Sequence, residues 1–172
     1  MAEAYSIDVV KKELLKHLEC DDYDFFYLYT FEELRTLNML KKLSKEMCFN
    51  LYIYYYAEGL RCLISDEKSR SKIELIKKWC NDFNFILHWL EVNARGFVVL
   101  LNPHKLFESD FRTIQLLKNT IMRLPELKNK ERFFLKFFII SSISRVPDEI
   151  QRETFYIDIP LSTKKEIQYI MD

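Results

Sequence analysis

Glycine is nearly absent: the 172-residue chain holds two, Gly59 and Gly96, 37 positions apart. Phosphate-cradling loops and dinucleotide fingerprints need several glycines close together, where the backbone must approach the ligand. Neither GxGxxG nor GxxxxGKS/T can be written anywhere in it. An excess of one charge is missing too, with 26 basic residues against 26 acidic. Proteins that hold nucleic acid through its phosphates usually carry a positive excess, so no nucleic-acid partner is expected. Lys118, Arg123, Lys128, Lys130, Arg132 and Lys136 form a locally basic stretch, but Glu126 and Glu131 interrupt it, and it reads as a solvated face. Cys20, Cys48, Cys62 and Cys80 are never closer than 14 residues and make no CxxC, which excludes a zinc ribbon or a redox pair. No metal and no cofactor are expected. No apolar run approaches the ~20 residues that span a bilayer, and the opening MAEAYSIDVVKKELLKHL is amphipathic rather than basic-then-apolar. The expected setting is the cytoplasm, with reduced thiols and no membrane partner.

What is present is hydrophobic patterning, at 49% of the residues, enough for one domain with a real core. Ser6 to Leu18 carries Ile7, Val10, Leu14 and Leu18 at helical spacing, a lead helix over residues 1–20 set before an α/β domain at 21–172. Its narrow apolar stripe suits docking on the domain or on another copy. Phe25 to Tyr29 reads as a buried strand, and Thr30 with Glu33 as a capping box opening a helix whose core face is Leu34, Leu37, Leu40, Leu43 and Met47. Leu51 to Tyr56 is a second strand, followed by AEGLRCL; Ser69 to Asn93 reads as helix with Ile73, Ile76 and Trp79 inward, divided near Asn81-Asp82. Phe97 to Leu101 is apolar on both faces, as in a central parallel strand. Ser109 to Arg123 is helical through Phe111, Ile114, Leu117 and Ile121; Leu135 to Ile140 and Glu153 to Ile159 are the last strands, and Thr163 to Glu166 is a second capping box. The alternation predicts a three-layer αβα sandwich with a five-stranded, mostly parallel sheet.

Four stretches, FFYLYTFEELRTL, YAEGL, FVVLLNPHKLF and VPDEIQRETFYIDIPLSTKKEIQYI, together resemble the N-terminal domain of a family of AAA-type ATPases first catalogued as a hypothetical chloroplast reading frame. The resemblance covers Asp24 to Asp172 and leaves Leu18 and everything before it outside. It implies a degenerate P-loop, AAA+-like core without a Walker A loop and without a helical lid, the ATPase being a second domain of the family's longer polypeptide. The family tends to carry an acid and then a His after the third strand; here Asn102 stands in the acid's place and His104 remains. An Asn cannot supply the negative charge that helps hold Mg²⁺.

No catalytic residue is assigned, and the chain is not expected to be an enzyme. Asn102, His104, Ser141 and Arg145 are the candidate polar contacts of a cleft at the C-terminal edge of the sheet, where α/β folds bind ligands. Tyr52, Tyr54, Tyr55 and Tyr56 lie on a strand that the AAA+ order places at a sheet edge, so they are candidates for binding a protein partner. The primary expectation is a non-catalytic interaction or assembly module, as a stand-alone unit or as the N-terminal part of a larger ATPase, with association of identical copies left open. The alternative is a nucleotide- or small-molecule-sensing domain without hydrolysis.

Overall fold

A computed structural model describes residues 6–56, 58–64, 82–128 and 134–162. In chain order these form α1 (Ile7–Cys20), β1 (Phe25–Tyr29), α2 (Glu33–Glu46), β2 (Asn50–Tyr55), β3 (Gly59–Ile64), α3 (Phe83–Asn93), β4 (Gly96–Leu101), α4 (His104–Ser109), α5 (Phe111–Lys128), β5 (Leu135–Ser141) and, after a 3₁₀ turn at Gln151–Glu153, β6 (Thr154–Asp158). The expected helix at 69–81, with Ile73, Ile76 and Trp79, and the capping box at Thr163 lie outside the described residues.

The strands join into one sheet in the order β3-β2-β4-β5-β1-β6. All neighbours run parallel except β3, which is antiparallel to β2. Among the described residues the sheet therefore has six strands where five were expected. The sixth arises because Tyr55 and Gly59 bracket a tight turn, with the Glu58 N–H donating to the Tyr55 carbonyl at 3.1 Å and Gly59 at φ 79. A left-handed residue there favours glycine. The other glycine has a steric reason: Gly96 sits at φ 125, and a Cβ on it would stand 2.2 Å from the Asn50 carbonyl oxygen.

Alternation along the strands divides the core into two. Phe25, Tyr27, Val98, Leu100, Phe137 and Ile139 face α3 and α5, while Phe26, Leu28, Phe97, Val99, Phe138 and Ile140 face α1 and α2. Helices on both faces of a largely parallel sheet make the expected αβα sandwich. Every residue of β5 is buried, and each large apolar side chain so placed contributes about 1.5–3 kcal/mol. The lead helix is part of this core: Val10, Leu14 and Leu18 pack with α2 and the sheet. Asp82 caps α3 by accepting from the Asn84 N–H at 2.9 Å, so a helix starts here. Ile114, Leu117 and Ile121 of α5 are buried as expected, but Phe111 is 66% exposed, because α4 takes the preceding turn and leaves Phe111 at the helix tip.

Candidate functional site

At the C-terminal ends of β1, β4 and β5 the structure brings three of the four cleft candidates to one edge. Asn102 leaves β4 at φ 47, a left-handed conformation that Asn tolerates better than most residues. Its N–H donates to the Ile140 carbonyl at 3.0 Å, and its side-chain Nδ2 donates to Glu33 Oε1 at 2.6 Å. His104 opens α4 and sets Nε2 at 2.5 Å from Ser141 Oγ and 3.1 Å from the Tyr27 hydroxyl. That hydroxyl donates to the Ile143 carbonyl at 2.6 Å, and Ser141 Oγ accepts the Ile143 N–H at 3.0 Å. Burial lowers the His104 pKa, with the Glu108 carboxylate opposing it, and burial raises that of Tyr27 against the Ser141 hydrogen bond. Sequence reasoning missed Tyr27, hidden in the aromatic run FFYLY. The signal was available, since a core tyrosine needs a partner for its hydroxyl.

Arg145 does not join. Its guanidinium pairs with Asp148 at 3.0 Å with the side chain 78% exposed, and only its carbonyl approaches the Tyr27 hydroxyl, at 3.4 Å.

The junction of β1 and α2 also departs from expectation. Thr30 Oγ1 accepts from the Glu32 N–H at 2.9 Å, two residues on, and the helix begins at Glu33 without a side-chain cap. The capping box is replaced because that short turn uses the threonine and because Glu33 is drawn across to Asn102. Glu32 accepts from the Ser162 N–H at 2.8 Å, from Ser162 Oγ at 2.7 Å and from Arg35 at 2.6 Å. Burial pushes its pKa up, but the Ser162 and Arg35 hydrogen bonds outweigh this and hold it below the ordinary glutamate value. Two carboxylates thus occupy the start of α2, beside an open groove of about 1020 Å³ between α1 and α2 in which Phe31 and Leu34 are exposed.

The arrangement is poor for catalysis. Ser141 and His104 stand as a nucleophile and a base would, yet Ser141 is completely buried and its hydroxyl and carbonyl are both engaged, the latter by the Thr30 N–H at 2.8 Å. Among the described residues no three His, Cys, Asp or Glu side chains converge to hold a metal. A hollow of about 350 Å³ lies on the solvent side of His104, lined by Phe107, Phe111, Ile143 and Arg145 among others.

The tyrosine strand is corrected by β3. That hairpin partner occupies the edge expected to be open, so Tyr52 and Tyr54 are buried in the core, Tyr55 is half-buried, and only Tyr56 is exposed, at 49%. The Tyr55 ring lies under the Arg61 guanidinium, 5.2 Å away.

A second polar cluster sits at the opposite end of the sheet. Lys136, read as part of a solvated face, is fully buried on β5; its Nζ donates to Asp24 Oδ1 at 2.7 Å, to the Tyr23 carbonyl at 2.5 Å and to Asp21. These partners all come from the segment joining α1 to β1.

Residues 10–159 match the family model described as SpoVK-like AAA ATPase, N-terminal domain. The match begins inside α1, so it takes in helix residues that the resemblance left outside. No curated protein matches the chain.

Proposed function

Since the chain belongs to the family of SpoVK-like AAA ATPase N-terminal domains, we propose that it works as a degenerate, non-catalytic part of a larger ATPase, binding protein rather than nucleotide. The observation that carries this reading is the contact between Asn102 and Glu33, at 2.6 Å. A phosphate held at the start of a helix needs its N–H groups and a field free of negative charge. Here Glu33 is fixed at that start by Asn102, and Glu32 is fixed beside it by Ser162 and Arg35. An incoming phosphate would meet two anchored carboxylates. The same Asn102 leaves no acid at the end of β4 to help hold Mg²⁺.

The likeness to the hypothetical-chloroplast-reading-frame branch is part of this proposal, as are a protein partner, the cytoplasm as the setting, and the lack of nucleic-acid and membrane binding. Among the described residues no helix is long and apolar enough to cross a membrane. A second reading, small-molecule sensing, is favoured by the hollow beside His104.

Thermal melts of the chain with millimolar ATP or ADP and Mg²⁺ test the first reading. No shift is expected. A saturable rise overturns it, since a ligand present at a hundredfold over its Kd stabilises by about 2.7 kcal/mol.

A further inference from the structure

Where α2 begins, the local solution is forgone. A helix start is ordinarily capped by a side chain of its own first turn, yet Glu32, the N-cap of α2, makes no such bond. Its carboxylate reaches instead to a residue 130 positions away: Oε2 accepts from the Ser162 N–H at 2.8 Å and Oε1 from the Ser162 hydroxyl at 2.7 Å. Arg35, one turn on, bonds through Nη1 to Glu32 Oε2 at 2.6 Å and to the Pro160 carbonyl at 2.8 Å. Both side chains are largely shielded, Arg35 at 19% and Glu32 at 30% exposed. Hydrogen bonds to ionised groups are roughly twice as strong as neutral ones. A local rule broken in favour of a distant contact marks a role beyond the helix itself.

What these bonds hold is the margin of the domain. Among the described residues Ile159 makes the last main-chain contact with the sheet, its N–H donating to the Tyr29 carbonyl at 2.9 Å, and the family match ends at that same residue. Pro160 has no N–H with which to extend the ladder. Pro160, Leu161 and Ser162 therefore lie just past both the sheet and the matched domain, where segments between domains are ordinarily exposed and free to swing. Leu161 is exposed, at 63%, but the residues on either side of it are tied to α2.

We propose that Glu32 and Arg35 form a latch that fixes the direction in which the polypeptide leaves this domain for the rest of the ATPase. They act as positioning residues, gripping the chain on both sides of Leu161. The next residue of α2, Glu33, is held to Asn102 at 2.6 Å, so the first turn of the helix ties the departing chain to the end of β4 as well. The proposal rests on the reading of the chain as the N-terminal part of a larger ATPase and not on its failure to bind nucleotide, so the nucleotide melt can overturn that failure and leave the latch standing.

Amide exchange and backbone ¹⁵N relaxation on the full chain test it. The Ser162 amide is expected to be protected, and Glu32→Ala to speed its exchange about tenfold or more, while Ile159, bonded to β1, stays unchanged. Order parameters at Leu161 and Ser162 should lie near the rigid value of about 0.85 and fall below about 0.6 in the variant. That fall reads loss of direction, which a side chain serving only the stability of α2 would not cause. Glu32→Gln keeps an acceptor but not the charge and should give the same changes in smaller measure; it keeps the test alive if the alanine variant folds poorly. Ser162 exchanging and moving as freely in the unaltered chain as in Glu32→Ala overturns the proposal. So does loosening of Ile159 together with Ser162, which would give the hold to the strand instead of the latch.

Discussion

The two ends of the sheet solve the problem of buried polarity in different ways. At the C-terminal end, His104, Ser141 and Tyr27 satisfy one another through hydroxyls and backbone, with burial favouring the neutral ring. At the N-terminal end, Lys136 is wholly buried and answered by Asp21, Asp24 and a carbonyl. The first is the edge where α/β folds do chemistry; the second lies where they seldom do. The heavier electrostatic investment is at the quiet end, where it ties the helix α1 segment to the central strand. A strongly polar buried group is thus a poor guide to function unless its place in the sheet is considered.

Breaking the quiet end should have the largest effect. Lys136→Met takes the ammonium away from Asp24, which is only 11% exposed; a loss of about 3 kcal/mol is expected, at the lower end for a broken buried pair because Asp21 is half-exposed. Urea denaturation measures it, and an unchanged midpoint would show the pair to be dispensable. Asn102→Asp comes next. It replaces a hydrogen bond to Glu33 by a like-charge contact and should cost about 1–3 kcal/mol at pH 7. The loss should shrink as pH falls through the carboxylate range, and no Mg²⁺-dependent ATP turnover should appear.

The neutral cluster gives a pH signature. The His104 pKa is lowered in the fold, so the unfolded chain takes up the proton first. Stability from this group is fully present above about pH 6.5, the unfolded value, and is lost as pH falls through the folded value. Melting temperature should therefore drop as pH falls below about 6.5, and His104→Asn should flatten that slope; a slope that survives the substitution assigns it elsewhere. The smallest effect is expected at Arg145, whose exposed pair with Asp148 should be worth under about 0.5 kcal/mol on Arg145→Ala. A larger loss would show that this residue takes part in the cluster after all.

Much of the fold was legible because both-face apolar runs such as FVVLL and LKFFII have few alternatives to a central strand. The hairpin β2–β3 was missed: Tyr-Ala-Glu-Gly between apolar runs is a turn signal, but the alternating AAA+ pattern directs attention to a helix after that strand. Strand-end reasoning brought Asn102, His104 and Ser141 to one edge because a parallel sheet aligns its C-termini. Arg145 lines the hollow beside His104 but stays outside the hydrogen-bonded cluster, because the loop after β5 turns its guanidinium to Asp148. Lys136 misled because charge counted along the chain does not see partners 112 and 115 residues away. The capping box failed at the scale of two residues, where the Thr30 turn competes with the helix start.

The place of β1 has a consequence for synthesis. The first strand made is clasped between the last two, β5 and β6. A chain emerging from the ribosome can close the β2–β3 hairpin at once, but its first strand stays unpaired until the residues of β5 have followed, and half-paired until Asp158 has. Local contacts form quickly and distant ones wait. The aromatic run FFYLY therefore stays without a strand partner while the hairpin, β4 and α5 are being made.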